Sequence, residues 1–200
     1  MGLSENLESM QLPLVIRKPV PKGCAWLARY DARKHGLHGR AYRKAKRIMD
    51  LTLALLTCPI WLPALGLVAM VGTIGNPGQP VMITEVRAGR GGRRFKMHRF
   101  GGAAKNHPLP QLFNVIRGEM SLVGPQATPF QADGCRLWHT TRLDVSPGIT
   151  GLWRVVERDT IGDDERLRLD IAYIDRRCLT LDFEILLRSI GASLLKRGQT

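Results

Sequence analysis

Residues 51–74, LTLALLTCPIWLPALGLVAMVGTI, contain no charged side chain, and the way this stretch is read decides the architecture of the chain. A helix rises about 1.5 Å per residue and needs roughly 20 apolar residues to cross a bilayer core, a length this segment reaches. A buried core helix this long and charge-free would be unusual in a chain of 200 residues, so the segment reads as a membrane element. Pro59 and Pro63 stand inside it, and each removes a helix hydrogen bond and crowds the preceding turn, so a break is expected near the middle. Basic residues flank it on both sides: Arg33, Lys34, Arg40, Arg43, Lys44, Lys46 and Arg47 upstream, and Arg87, Arg90, Arg93, Arg94, Lys96 and Arg99 downstream. No acid lies between Val86 and Gly118. Basic flanks stay on the cytoplasmic side. A straight span would carry one of them across, whereas a helix broken at the prolines can enter and leave on the same face. A re-entrant helical hairpin is therefore favoured over a span.

The composition agrees with this division of charge. Lys and Arg number 30 against 17 Asp and Glu, a formal net charge of +13, and 44% of residues are hydrophobic. That is enough apolar material for one domain with a real core. The excess charge calls for an anionic partner, and its concentration around one apolar segment points to a membrane surface and phosphates, with no nucleic acid partner. Cys24, Cys58, Cys135 and Cys178 are widely spaced, which supports neither a zinc finger nor a disulfide scaffold, and no metal-ligand cluster is legible. Glu5 and Glu8 stand where a signal peptide would be basic.

Four segments follow: a variable N-terminal lead over 1–36, to which no chemistry is assigned; a basic juxtamembrane segment over 37–50; the membrane helix over 51–74; and a cytoplasmic domain over 75–200. In that domain, residues 75–80 (GNPGQP) form a turn, 81–84 are β-prone, and the Gly-rich 87–95 (RAGRGGRRF) can bring backbone N–H groups and arginines to an anion. Such a loop equally suits solvated contact with anionic headgroups. Residues 109–117 read as a helix with Leu109, Leu112, Phe113 and Ile116 on one face and Gly118 closing it. Residues 120–125 (MSLVGP) read as a buried run, and 146–152 (SPGITGL) as a turn and strand. Asp163 is placed to cap a helix with Leu167, Ile171 and Ile174 as its stripe, and a last amphipathic helix runs from about 181 to 196 with Phe183, Leu186, Leu187, Ile190 and Leu194 on one face. This last helix is suited to a membrane interface as well as to a core.

The order KRIMDLTLALLTCPIWLPAL, NPGQPV, EVRAGRGGRRF, LPQLFNVIRGEMSLVGP, SPGITGLW, ERLRLDIAYI, LTLDFEILLRSI resembles the bacterial sugar transferases, the monotopic polyprenyl-phosphate phosphoglycosyl transferases that begin exopolysaccharide assembly. The likeness runs from about residue 46 to the C-terminus. It implies a small α/β catalytic-type domain with amphipathic interfacial helices on the cytoplasmic face of the inner membrane, anchored by a re-entrant helix whose break corresponds to Cys58 and Pro59. It further implies transfer of a sugar 1-phosphate from a nucleotide diphosphate sugar to undecaprenyl phosphate, with Mg²⁺ as cofactor and other polysaccharide-assembly proteins as possible partners. In the mechanism so implied, an Asp attacks the β-phosphate, a nucleoside monophosphate leaves, and the lipid phosphate then accepts the sugar phosphate. Cations offset the phosphate charge. Arg87, Arg99 and Arg158 match basic family positions and are the candidates for phosphate, against the alternative of plain surface or structural arginines.

One departure bears on activity. The Asp-Glu dyad of the resemblance precedes Leu-Pro-Gln, and here His107 and Pro108 precede Leu109-Pro110-Gln111. The segment between Phe100 and His107 is short, as though an Arg- and acid-rich stretch were deleted. Gly101 and Gln126 stand where two further family arginines are expected. Proline can transfer nothing, His107 is able to form a phosphohistidine but reads more simply as a loop residue, and Glu119 is a weak catalytic candidate. The sequence therefore supports two readings: a sugar-phosphate transferase, or a catalytically inactive relative acting as membrane-bound regulator or partner of an active one.

Overall fold

The basic segment and the first apolar residues fold as one helix. In the computed structural model, which describes residues 24–30, 39–75, 78–102, 107–130, 142–156 and 162–196, α1 (Gly39–Leu56) turns Tyr42, Asp50 and Ala54 inward and leaves Ile48, Leu55 and Leu56 exposed. It thus crosses the expected boundary between residues 50 and 51. The next helix, α2 (Cys58–Gly75), is almost bare: its mean hydropathy is 1.7 and 6% of its residues are buried, Trp61 being the buried one. A long apolar helix with so little protein against it matches a membrane segment in length and composition.

The boundary between α1 and α2 is set by local chemistry. Thr57 Oγ1 donates to the Leu53 carbonyl at 2.6 Å, and Pro59 has no N–H to give the carbonyl of Leu55. The Ala54 carbonyl, which an uninterrupted helix would pair with the Cys58 amide, accepts the Trp61 indole Nε1–H at 2.9 Å instead. Pro63 lies inside α2 without ending it. Its i−4 carbonyl belongs to Pro59, in the opening turn of the helix, where the backbone can yield to a ring.

After α2 come β1 (Met82–Ala88) and β2 (Arg94–Phe100), an antiparallel hairpin in the register Met82↔Phe100 through Ala88↔Arg94. A short turn over Arg90–Gly92 joins them, with Gly91 and Gly92 at φ 69° and 72°, values that favour glycine. Next is α3 (Gln111–Arg117), closed by Gly118 at φ 89°. Strands β3 (Ser121–Val123) and β4 (Gly148–Thr150) pair in parallel. The short α4 (Leu152–Val155), α5 (Asp163–Arg176) and α6 (Leu179–Lys196) complete a mixed α/β architecture of six helices and two small sheets among the described residues. The two strands of the parallel sheet meet closely: a Cβ on Gly148 would stand 2.1 Å from the Gly124 nitrogen.

The core gathers Val115, Leu122, Val123, Leu152, Leu169, Tyr173, Leu181 and Ile185 with Phe95 and Met97 from the hairpin. Its largest departures from the sequence patterns lie on the last two helices. The N-cap of α5 is Gly162, with no side-chain cap bond, where Asp163 was expected. Leu169, Ala172 and Tyr173 join Ile171 in burial, whereas Leu167 and Ile174 are half-buried. On α6 the inward residues are Leu181, Ile185 and Ser189; of the expected stripe Leu186 packs against the core, whereas Phe183, Leu187 and Ile190 are exposed by 52%, 56% and 59%. The helix thus carries one apolar face for the core and a second that is unpartnered.

Within the N-terminal lead, Cys24 and Leu27 are fully buried. The Tyr30 hydroxyl donates to Glu184, and the Arg188 guanidinium lies 4.2 Å over the Trp26 ring. This segment therefore packs on α6, a contact of long sequence separation that no local periodicity announces.

Candidate functional site

The site builds around α3, which the hairpin and the membrane helix both contact. At its N-terminal end, Pro108 and Leu109 carbonyls accept the Gln111 and Leu112 amides at 3.0 and 3.1 Å. His107 and Pro108 are half-buried there. Phe113, on α3, meets Trp61 edge-to-face at 5.5 Å, so the helix bearing the Leu-Pro-Gln motif is braced against the first turn of α2.

Arg87 and Arg99 are brought together by Glu85. Arg87 Nε donates to Glu85 Oε2 at 3.2 Å, its Nη2 bonds the same oxygen, and Arg99 Nη1 bonds Oε1. Alternation explains the grouping: residues 85 and 87 share one face of β1, and Arg99 lies diagonally across on β2. Burial by itself would raise the Glu85 carboxyl, but the hydrogen bonds and charges of Arg87 and Arg99 outweigh it and hold the group below its ordinary range. Two guanidinium groups against one carboxylate leave the cluster cationic, while Arg87 Nη1 also donates to the Ala127 carbonyl at 3.2 Å. Arg158 lies outside the described residues.

Two of the departures read from sequence have structural counterparts. A Cβ on Gly101 would stand 2.3 Å from the Pro80 carbonyl oxygen, and the Gly101 amide donates to Val81 at 3.0 Å. Backbone fills the space that an arginine side chain would need to leave from. At Gln126 the backbone amide donates to Asp170 Oδ2 at 3.2 Å, and the same oxygen takes Arg142 Nη2 at 2.6 Å. Asp170 is 1% exposed; burial pushes its carboxyl up to about 6 even though Arg142 and the Gln126 amide lower it. Neither Asp170 nor Arg142 was singled out in sequence, because nothing local links residue 142 to residue 170.

Asn114 was also missed. It is fully buried at a position the helical pattern leaves between apolar residues. Its Oδ1 accepts the His98 amide at 3.0 Å, and its Nδ2 donates to the Lys96 carbonyl at 2.7 Å and to Glu119 Oε2 at 2.6 Å. The side-chain amide thus replaces a third strand along the open edge of β2 and fixes Glu119. The Gly-rich loop departs in part from expectation: the Gly89 and Gly92 amides bond Arg93 and Gly89 carbonyls at 2.7 and 3.1 Å, so the turn itself uses two of the N–H groups expected to meet an anion. What it presents is the arginines. Among the described residues no three His, Cys, Asp or Glu side chains gather to hold a metal.

A bare apolar helix joined to a small α/β unit with a carboxylate-bridged arginine pair describes a membrane-associated protein suited to anionic substrates. The chain belongs to the bacterial sugar transferase family, whose pattern matches residues 41–108 and 105–196. Relatives include the galactosyl transferase CpsE of Streptococcus agalactiae, 31% identical over 77% of this chain and 43% of that protein. The uncharacterized sugar transferase EpsL of Bacillus subtilis is 30% identical over 76% of this chain and 89% of its own length. The UDP-glucose:undecaprenyl-phosphate glucose-1-phosphate transferase of Caulobacter vibrioides is 31% identical over 74% and 69%. Against CpsE and two other relatives of this group the chain spans less than half of the longer protein.

Proposed function

We propose that this protein acts in exopolysaccharide biosynthesis by transferring a sugar 1-phosphate from a nucleotide diphosphate sugar to undecaprenyl phosphate on the cytoplasmic face of the inner membrane. The observation that carries the reading is the family match over both the membrane helix and the domain, joined to relatives whose names specify this transfer. Arg87 and Arg99 hold the donor phosphates, with Glu85 fixing their spacing, and Arg158, which lies outside the described residues, is a further candidate for phosphate by its family position. The anchor is re-entrant: both flanks of α2 are basic, and the helix boundary at Thr57 beside Cys58 and Pro59 permits a reversal there. The exposed face of α6, Phe183, Leu187 and Ile190, lies in the interface.

A second reading, a catalytically silent member that binds the same ligands and regulates an active transferase, is favoured by one observation. His107 and Pro108 occupy the positions before Leu109-Pro110-Gln111, and the two matched stretches of the family pattern meet there, at residues 105–108. Glu119 is the remaining carboxylate candidate, and its oxygen is already engaged by Asn114. The test is release of nucleoside monophosphate and formation of radiolabelled lipid by the purified chain in lipid with several UDP-sugars and undecaprenyl phosphate. Lipid product establishes the transferase; binding of UDP-sugar without product establishes the silent member; neither binding nor product rejects both.

A further inference from the structure

A cavity of 220 Å³ lies between α1, the α3 terminus and the loop before β4. It opens beside a larger one of 730 Å³ under the Gly-rich turn, and Arg90, Gly118, Asp144 and Ser146 line both. The smaller cavity is lined by Arg43, Lys46, Arg47, Arg90 and Arg177, with Asp50 and Asp144 as the acids. The internal partners of these groups decide which of them remain for a ligand. Lys46 is paired with Asp182 at 3.0 Å. Arg47 Nη2 donates to the Ile116 carbonyl at 2.9 Å, closing the end of α3. Asp50 is committed to the Ser121 hydroxyl at 2.6 Å and the Leu122 amide at 3.3 Å. Arg177 Nη1 is buried without a hydrogen-bond partner, as is Lys46 Nζ apart from its ion pair, and Arg43 and Arg90 are exposed at the mouth. Five cations thus face two acids on the wall, the buried Asp50 and the exposed Asp144.

We infer that this cavity is an anion site of its own, built for a phosphate or diphosphate group, at the opposite end of α3 from the Leu-Pro-Gln motif. The helix alone separates the two ends by about 10 Å, and neither Arg87 nor Arg99 lines the cavity. Guanidinium forks suit phosphate oxygens because they donate in pairs, and a buried unpaired N–H is costly until an acceptor arrives. The phosphate has two possible sources, a soluble phosphorylated molecule or an anionic lipid headgroup, since Arg47 precedes the start of α2 by only ~16 Å of helix.

The test uses the full chain in nanodiscs of zwitterionic lipid and follows thermal stability and ³¹P line broadening on titration with inorganic pyrophosphate, then repeats the stability measurement in nanodiscs containing phosphatidylglycerol. Arg43→Gln with Arg90→Gln removes the two exposed cations, Arg177→Lys keeps the inner charge without the fork, and Arg87→Gln with Arg99→Gln removes the other cluster. Expected is stabilisation by pyrophosphate that weakens at least tenfold in the Arg43/Arg90 variant and in Arg177→Lys, and persists when Arg87 and Arg99 are replaced. Stabilisation by phosphatidylglycerol alone, lost in the same two variants, assigns the site to a headgroup. No effect from either source, or loss that follows Arg87 and Arg99 only, overturns the inference and leaves the transferase reading to its own assay.

Discussion

Replacing Asn114 with Leu keeps the branched shape of the side chain and favours the helix, but removes every polar contact its amide makes. The His98 amide and the Lys96 carbonyl then lose their acceptor and donor, at 3.0 and 2.7 Å, in a place where Asn114 itself is fully buried. A buried backbone group left unpaired costs about 1–3 kcal/mol. Two such groups, with partial relief from water at the strand edge, give about 3 kcal/mol. For a chain of this size that is a fall in Tm of roughly 6–12 °C. Thermal unfolding of the purified protein in lipid, followed by tryptophan fluorescence, reads this directly. Glu119→Gln removes the charge from one acceptor while leaving the strand edge covered, so it is expected to cost less, about 1 kcal/mol. A double replacement should be no worse than Asn114→Leu alone, since the bond at 2.6 Å is lost in both. If Asn114→Leu shifts Tm by under 2 °C, the amide is not covering the strand edge. If the two single effects add fully, Asn114 does not hold Glu119.

Three further outcomes follow from the geometry. Gly101→Arg should unfold the end of the hairpin, because its Cβ would fall 2.3 Å from the Pro80 oxygen; recovery of stable, soluble protein with unchanged Tm would contradict the packing. The raised Asp170 carboxyl, at about 6 against an ordinary 3.8, favours the fold most when protonated. Its contribution is present below about pH 4 and is lost as pH rises through 6, about 3 kcal/mol from the shift, and Asp170→Asn should flatten that part of the Tm–pH curve. Removing its partner by Arg142→Gln raises the carboxyl further, moves the loss to higher pH and costs about 3–5 kcal/mol at neutral pH, read from the same curves. Trp61→Phe leaves the Ala54 carbonyl without its indole donor at 2.9 Å and should loosen the α1–α2 junction, seen as faster hydrogen exchange at residues 57–61 with little change in the β1–β2 hairpin.

The elements were legible where one local rule governed them. The charge-free run announced α2, the Gly118 position closed α3 as expected, and the GP and PG turns bracketed the two parallel strands. The helix faces were less legible. Hydrophobicity alone suited the face of Phe183, Leu187 and Ile190 on α6 to a core or a membrane interface alike, and the structure turns these three out, because Leu181 and Ile185 satisfy the core and the chain has apolar residues to spare. The site divides in the same way. Arg87 and Arg99 were named from sequence, but Glu85, which joins them, has no local mark beyond its alternation with Arg87. Asn114, Asp170 and Arg142 act only across long sequence separations.

By itself the sequence determined the family, the presence of one long apolar helix, the basic flanks around it and the residues standing before Leu109, since each is written in composition, order or spacing along the chain. Tertiary structure alone decided which cations are spent inside the protein and which face a cavity. Lys46 and Arg47 belong to the same basic run as Arg43, yet the first is paired with Asp182 and the second closes α3, while Arg43 stays exposed. Charge along a chain sets only the number of cations. Their partners come from segments more than sixty residues away, and those meet only when the helices pack.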